Sequence, residues 1–203
     1  MIAVIDYGAG NLQSVVKAFN FIGCDVLVTA DKDELKNASA AILPGVGAFG
    51  DAMSCLKNSH FVNPVLDFIE SGKPFLGICL GLQLLFEGSE ESPHVNGLGV
   101  LNGKIVKIPA ETGLKIPHVG WNSLNIKSND GLFQGLKPNP YVYFVHSYYL
   151  KAENPEVVSS TTTYGVQIDA SVQRGNLFAT QFHPEKSGQT GLQILKNFVS
   201  FID

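Results

Sequence analysis

The first half of the chain alternates short apolar runs with segments in which apolar residues recur every three or four positions. The short runs have the length and the bounding turn residues of buried strands, whereas the longer spacing is that of amphipathic helices. The runs predict strands over residues 2–5, 25–29, 40–43 and 75–78. The helical spacing predicts helices over residues 12–22, 33–37, 51–57 and 62–71. This repeated strand–helix order predicts a parallel sheet with helices on both faces.

The second half changes character after Glu91 and becomes rich in short strands separated by Gly, Asn and Pro. Predicted strands cover residues 104–108, 141–145, 157–161, 166–171 and 177–181, and an amphipathic helix closes the chain. We expect these strands to complete and edge the same sheet, because no linker or repeat separates the halves. The predicted fold is a single α/β domain over residues 1–203, an open, mostly parallel twisted sheet with helices on both faces and antiparallel edge strands.

Composition narrows the class of protein further. A length of 203 residues with 45% hydrophobic content suits one domain that needs no disulfides to bury a full core. The three cysteines include no C-x-x-C pair, which disfavours a disulfide framework or a zinc ribbon and indicates a reducing compartment. A net charge of −4 without a basic stripe argues against a nucleic-acid partner. No signal peptide or membrane-length apolar run is visible, so we expect a soluble, cytoplasmic protein.

A predicted strand runs straight into a helix at Gly77-Ile78-Cys79-Leu80-Gly81. Two glycines at this spacing remove side chains that would collide at a sharp turn, which leaves the Cys79 sulfur raised above the sheet. A thiol at a helix N-terminus is biased toward thiolate, and the Leu80 amide is placed to donate to an oxyanion. The alternative is an inert core cysteine, the usual fate of a free thiol. The paired glycines favour a nucleophile.

A thiol nucleophile needs a base, and one histidine directly follows an apolar strand in His183-Pro184-Glu185. Residues two apart on an extended chain point the same way, so we expect the ring and the carboxylate to pair. That provides a nucleophile, a base and an orienting acid. The remaining histidines have no acid placed so closely and are weaker candidates: His60, His94, His118 and His146. The signatures of papain-type and caspase-type cysteine proteases are absent.

Two glycine-rich loops follow predicted strands in the first half. Gly8 and Gly10 suggest a dinucleotide-binding loop, but Gln13 stands where the third glycine of that motif belongs, so we reject the motif. The loop over residues 44–50 lies at the carboxyl end of a strand, where open α/β sheets bind ligands. Taken alone, this second loop is better explained as an ordinary turn.

Three segments together resemble the triad-type (class I) glutamine amidotransferases: PGVGAFG, GICLGLQLLFE and QFHPEKS. The resemblance runs from the first predicted strand to the last helix. It implies that Cys79, His183 and Glu185 form a triad that hydrolyses glutamine to glutamate and ammonia, without a metal or an organic cofactor. Within the family, DYGAGN, PHVGWN and YFVHSYY resemble the subunits that supply ammonia to a (β/α)8 synthase of histidine biosynthesis.

The resemblance also implies roles for residues around the triad. Oxyanion-stabilising amides are implied at Val46, Gly47 and Leu80. Substrate contacts are implied for Gln83, Glu91, Ser147 and Tyr148. In the resembling subunits the PGVG peptide rests with an amide turned away until the synthase binds its own ligand, so we expect weak activity from the isolated chain. Gly45 and Gly47 would supply the backbone freedom for that change.

A heterodimer with the (β/α)8 synthase subunit is implied as well. Its candidate interface consists of Asn11, Trp121, Tyr143 and Lys186. For Trp121 and Tyr143, packing in the core is the alternative. Three competing functions stay open: a related amidotransferase acting on a surface-sugar precursor, a cysteine peptidase or γ-glutamyl hydrolase on the same fold, and a binding-only relative, against which an intact triad argues.

Overall fold

The computed structural model describes residues 1–110 and 114–202 of the chain. Its strands are β1 (Ile2–Ile5), β2 (Val26–Thr29), β3 (Ala40–Gly45), β4 (Phe75–Cys79), β5 (Gly88–Ser89), β6 (Gly103–Lys107), β7 (His118–Ser123), β8 (Asn125–Ile126), β9 (Tyr141–His146), β10 (Tyr148–Ala152), β11 (Val158–Tyr164), β12 (Val166–Arg174) and β13 (Leu177–Thr180). Its α-helices are α1 (Leu12–Phe21), α2 (Lys32–Asn37), α3 (Phe49–Asn58), α4 (Val62–Glu70), α5 (Leu80–Leu84) and α6 (Gly188–Val199). Short 3₁₀ turns cover Gly131–Phe133, Pro155–Val157 and Pro184–Lys186. The strands and helices predicted for the first half are present, with small shifts at their ends.

The central strands are buried on both faces. Every residue of β1, β3 and β4 is buried, which explains their continuous apolar sequences. Along β1, Ala3 and Ile5 join the core cluster under α3 and α4, whereas Ile2 and Val4 join the cluster under α1 and α6. Because successive side chains of a strand point to opposite faces, this division places helices over both faces of the sheet.

The main sheet brings three strand ends together at one edge. Its strand order is β2-β1-β3-β4-β13-β12-β10-β6-β5, parallel from β2 to β13, with β12, β10 and β6 added antiparallel. In the register, Gly45 lies opposite Cys79, and Ile78 lies opposite Thr180. The carboxyl ends of β3, β4 and β13 therefore meet, at the edge where open α/β sheets place their ligands. The predicted fold class is confirmed.

One strand lies outside the sheet to which the sequence assigned it. The strand predicted over residues 141–145 was expected in the main sheet, and this is wrong: β9 pairs with β7 in a separate two-stranded ribbon. Neither β7 nor β10 was predicted. Polar residues and Gly120 interrupt the apolar pattern of β7, and only Ser147 separates β9 from β10, so no turn residue marks the change of sheet.

Contacts from a distant loop set the ends of two helices. α3 begins at Phe49, earlier than predicted, because the Phe49 amide donates to the Glu91 carboxylate at 2.7 Å and the Gly50 amide donates to the Ser92 hydroxyl at 3.1 Å. α5 is short because the Leu98 amide donates to the carbonyl of Leu84 at 2.8 Å. No helix within the described ranges has both the length and the hydropathy needed to span a bilayer.

Candidate active site

β4 turns into α5 at Cys79 without an intervening loop. Cys79 has φ 55° and ψ −106°, a backbone conformation that is rare and strained for a residue with a side chain. The neighbouring glycines are required for space, since a Cβ on Gly81 would lie 1.9 Å from the Leu43 oxygen and one on Gly77 would lie 2.8 Å from the Gly81 oxygen. Close packing of α5 on β3 and β4 therefore fixes the cysteine at the carboxyl edge of the sheet.

His183 and Glu185 form a buried pair directly after β13. The His183 Nδ1 lies 2.7 Å from the Glu185 Oε1, and the two side chains are 3% and 2% exposed. The segment is not extended as the sequence suggested, because Pro184–Lys186 forms a 3₁₀ turn. The turn is held by the His183 carbonyl, which accepts from the Ser187 hydroxyl at 2.6 Å. The pairing that was predicted is present, although a tight turn produces it.

The charge on the His183 ring is set by its neighbours. Burial lowers the pKa of His183, but the Cys79 thiolate and the Glu185 carboxylate outweigh burial and raise this pKa to about 10. Among the described residues, the Nε2 of His183 and the Oε2 of Glu185 have no hydrogen-bond partner. The Nε2 is thus the ring nitrogen left to exchange a proton with a reacting group, and the arrangement suits a thiolate–imidazolium pair.

Cys79 and His183 face a cleft of about 350 Å³, a size suited to a small molecule. All the residues predicted for oxyanion stabilisation and substrate contact line it: Val46, Gly47, Leu80, Gln83, Glu91, Ser147 and Tyr148. These residues come from both halves of the chain, from the loops after β3 and β5, from α5 itself and from the start of β10. The structure therefore brings together side chains whose proximity the sequence suggested only through a family resemblance.

Two polar residues of the cleft are held by the protein itself. The Gln83 Nε2 donates to the Tyr148 carbonyl at 3.0 Å and to the Gln181 Oε1 at 3.1 Å. The Glu91 Oε2 accepts from the Phe49 amide. The Gln83 Oε1 and the other Glu91 oxygen are not used in these bonds, so each side chain keeps an oxygen that can accept a hydrogen bond from a ligand.

Comparison with known proteins places this chain in a family. A family model described as glutamine amidotransferase class-I matches residues 3–201 of the chain. The chain belongs to the class-I glutamine amidotransferase family. It is 52% identical to the imidazole glycerol phosphate synthase subunit HisH of Caldanaerobacter subterraneus subsp. tengcongensis, over 100% of this chain and 98% of that protein. It is also 52% identical to the subunit of the same name from Methanothermobacter thermautotrophicus, over 100% of this chain and 99% of that protein.

Solved structures share the fold at much lower sequence identity. The crystal structure of a glutamine amidotransferase matches with a TM-score of 0.77 at 18% identity, covering 100% of this chain and 99% of that chain. PurLQS from Thermotoga maritima matches with a TM-score of 0.77 at 21% identity, covering 100% of this chain and 98% of that chain. At such identities the likeness shows the fold alone. This amidotransferase chain thus keeps the family architecture.

Sequence reasoning missed several residues that lie at this cleft of the amidotransferase chain. The Gln181 Nε2 lies 3.8 Å from the Cys79 sulfur, and Pro117, Val145 and His146 line the cleft. Gln181 stands two positions before His183, the same spacing that drew attention to Glu185, so a signal was available. The other three come from the ribbon or its approach, which no local pattern places beside Cys79.

The other four histidines of the amidotransferase chain fall into an exposed pair and a buried pair. His60 and His94 are exposed and lie outside the cleft lining. His118 and His146 are buried, and burial lowers the pKa of each to about 4. The His118 Nδ1 lies 3.1 Å from the His146 Nε2, so these rings bond to each other.

Three of the predicted interface residues lie together on the amidotransferase surface. Trp121 is 54% exposed and meets the ring of Tyr143 edge-on, with centroids 6.3 Å apart. The Lys186 Nζ lies 6.0 Å from the centre of the Tyr143 ring. Core packing therefore does not explain Trp121, and it explains the half-buried Tyr143 only in part. Asn11 is exposed and caps α1 by accepting from the Ser14 amide at 3.4 Å.

Proposed function

We propose that this chain is the glutaminase subunit of an imidazole glycerol phosphate synthase, which hydrolyses glutamine to glutamate and ammonia and delivers the ammonia to a synthase subunit. The observation that carries the chemistry is the strained turn holding Cys79 beside the buried His183–Glu185 pair in a small cleft. Full-length identity of 52% to subunits named HisH supports the choice of synthase over one that acts on a surface-sugar precursor.

In the proposed reaction the Cys79 thiolate attacks the side-chain carbonyl carbon of glutamine. The His183 Nε2 then donates its proton to the amide nitrogen, the carbon–nitrogen bond breaks, and ammonia leaves a thioester on the sulfur. Neutral His183 next takes a proton from water, the resulting hydroxide attacks the thioester, and glutamate departs as the thiolate re-forms. Glu185 accepts a hydrogen bond from the Nδ1–H throughout and stabilises the imidazolium without taking the proton itself.

Two backbone amides are proposed to stabilise the oxyanion. The Leu80 N–H begins α5 and has no partner inside the helix, so it is free to point at developing charge. The second donor belongs to the Val46–Gly47 peptide, which follows β3 and also lines the cleft. Gly47 has φ +96°, and within the described ranges a Cβ there would meet no atom within 4 Å. We propose that this peptide turns its amide toward the oxyanion only when the synthase has bound its own ligand.

The remaining polar residues of the cleft are proposed to bind the amino-acid end of glutamine. The free oxygen of Glu91 suits the α-ammonium group, and the Oε1 of Gln83 is a second acceptor for it. The Ser147–Tyr148 segment also lines the cleft and suits the α-carboxylate. Glutamine held at this end presents its amide to Cys79.

Released ammonia needs an acceptor, and we propose that the exposed face of the β7–β9 ribbon receives a (β/α)8 synthase subunit. Val119 lies opposite Val145 and Trp121 opposite Tyr143 in the ribbon. The exposed side chains of Val119, Trp121 and Val145, with the half-buried ring of Tyr143, form an apolar surface that reaches the cleft, which Val145 also lines. The predicted interface residues belong to this proposal: Asn11, Trp121, Tyr143 and Lys186.

We place the reaction in the cytoplasm. Cys24 and Cys55 are half-buried free thiols, and Cys79 must stay reduced to act as a nucleophile. A reducing compartment satisfies both conditions.

The test is reconstitution with a (β/α)8 synthase subunit, using either glutamine or an ammonium salt as the nitrogen source. Cys79→Ala is expected to abolish glutamine-dependent synthesis and to leave ammonia-dependent synthesis intact, because only the first half-reaction needs the thiol. Cys24→Ala serves as the matched control and should support both. Retention of glutaminase activity by the Cys79→Ala protein would remove the thiol from the mechanism. Failure to release ammonia from free glutamine would instead favour the peptidase alternative.

A further inference from the structure

The sulfur of Cys79 receives a hydrogen bond that the triad does not explain. The Gln181 Nε2 lies 3.8 Å from the sulfur, and the Gln181 side chain is fully buried. The backbone N–H of Gln181 donates to the Ala170 carbonyl at 2.8 Å, which fixes the chain just beyond β13. A hydrogen bond to a charged acceptor is stronger than one to a neutral acceptor, so this donor stabilises thiolate more than thiol.

The orientation of this carboxamide follows from the chemistry of its partners. Gln83 approaches the carbonyl oxygen of Tyr148, which can only accept, so the Gln83 atom there must be its nitrogen. The same nitrogen lies 3.1 Å from Gln181, which must therefore present its oxygen to Gln83. The Gln181 nitrogen is then left facing Cys79. The series of hydrogen bonds from the Tyr148 carbonyl through Gln83 thus places the nitrogen of Gln181 at the sulfur. The orientation of the Gln181 carboxamide follows from its partners and was not chosen by itself.

The Tyr148 carbonyl is itself held from the other side. The His146 Nδ1 lies 2.9 Å from it and must carry a proton, so the His146 Nε2 accepts from the His118 Nδ1. His118 is stacked on Phe144 and Tyr164, with ring centroids 4.9 Å and 4.0 Å away. The anchor of Gln83 is therefore part of a packed, buried assembly.

We propose that Gln181 is a catalytic residue of this site: its carboxamide donates to the Cys79 sulfur and holds it as a thiolate, while Gln83, anchored on the Tyr148 carbonyl, is the positioning residue that directs this donation. The inference rests on the proposed function, because a thiolate matters for turnover only if Cys79 is the nucleophile. No bond forms or breaks at Gln181, and His183 keeps the proton transfers.

The test measures the thiolate directly. Gln181→Met keeps the length of the side chain and removes its donor. Alkylation of each cysteine by iodoacetamide is followed from pH 5 to pH 10 by mass spectrometry of the separated peptides, so that Cys24 and Cys55 serve as internal standards. We expect the midpoint of the Cys79 profile to rise by about one pH unit, which makes alkylation below the midpoint about tenfold slower. His183 is retained in both proteins, so its effect cancels in the comparison.

Gln193→Met is the matched control, since Gln193 is exposed on α6 and its amide donates to the Asn197 side chain. The Cys79 alkylation profile of Gln193→Met should equal that of the chain without substitutions. An unchanged Cys79 midpoint in folded Gln181→Met would overturn the inference.

Should Gln181→Met not fold, Gln83→Met decides: a smaller rise in the midpoint supports the inference, and no rise overturns it. Alkylation needs no glutamine turnover, so a shifted Cys79 midpoint in Gln181→Met, together with no release of ammonia from glutamine by the unsubstituted complex, would contradict the proposed function alone.

Discussion

Two segments that line the cleft are packed differently: the turn at Cys79, called here the packed wall, and the Val46–Gly47 peptide that follows β3, called here the open wall. On the wall that carries Cys79, a Cβ on Gly81 would lie 1.9 Å from a backbone oxygen, and one on Gly45 would lie 2.8 Å from the Cβ of Leu80. On the open wall Val46 is 44% exposed, and a Cβ on Gly47 would meet nothing within 4 Å among the described residues. The candidate nucleophile is thus fixed by packing, whereas the proposed oxyanion peptide has room to move.

This difference corrects the role that the sequence suggested for one glycine. Gly45 and Gly47 were both expected to supply freedom for a backbone change. Gly45 instead lies in β3 opposite Cys79 and is needed for close packing. The Tyr7 hydroxyl donates to the Pro44 carbonyl at 3.0 Å and anchors the same stretch. Any gating movement therefore belongs to the Val46–Gly47 peptide.

The largest effects are expected on the packed wall, at the buried pair that serves Cys79. His183→Ala should lower turnover by the complex about ten-thousandfold, and Glu185→Gln should lower it by a smaller factor, because a neutral amide still orients the ring while stabilising imidazolium less. Initial rates of glutamate formation measure both. Equal and total loss in the two variants would contradict this division of roles.

The open wall should give a smaller effect that depends on the partner. Gly47→Ala hinders the φ that this residue uses, so we expect the turnover of the ligand-bound complex to fall about a hundredfold with little change in KM, since the missing donor acts in the transition state. Gly135→Ala is the control, because Gly135 also has positive φ and open space around it. Full turnover by the isolated chain, without partner or ligand, would end the gating proposal.

Substitutions on the two walls should also differ in how much they lower the free energy of unfolding. Gly81→Ala forces overpacking against Leu43 and is expected to lower the free energy of unfolding by about 3 kcal/mol or more. Gly47→Ala only strains the backbone, which costs about 1 kcal/mol. Urea unfolding of both proteins measures the difference. Equal losses would mean that the two walls are packed alike.

The smallest expected effect concerns the charge on His183. Its pKa is raised to about 10, so the stability that the charged ring contributes is present below the ordinary histidine value of about 6.5 and is lost as pH rises through about 10. Cys79→Ala removes the thiolate, so the pKa of His183 should fall. An NMR titration of the ring measures it. An unchanged pKa would show that the thiolate does not act on His183.

Local signals explain what the sequence predicted well. The turn at Cys79 is encoded within five residues, and the His183–Glu185 pair within three, so both could be found without tertiary information. The buried strands of the first half were predicted for the same reason, since each carries its own apolar run. Local chemistry thus identified the candidate nucleophile, base and orienting acid.

Contacts between distant segments explain what the sequence did not predict. The cap on α3 comes from Glu91, far along the chain, and the ribbon of β7 and β9 forms because His118 and Phe144 are buried together. The room around Gly47 and its absence around Gly45 depend on which helix packs on which strand. Such features follow from assembled surfaces, which no single segment specifies.

The central claim is that Cys79 is the nucleophile, and labelling with a glutamine-derived diazoketone tests it most directly. Such an analogue is attacked like glutamine but leaves a stable bond on the attacking atom. We predict one label per chain on the peptide that carries Cys79, formed in proportion to the loss of glutaminase activity and slowed by added glutamine. Loss of activity with Cys79 unlabelled, or full activity with Cys79 labelled, would contradict the account.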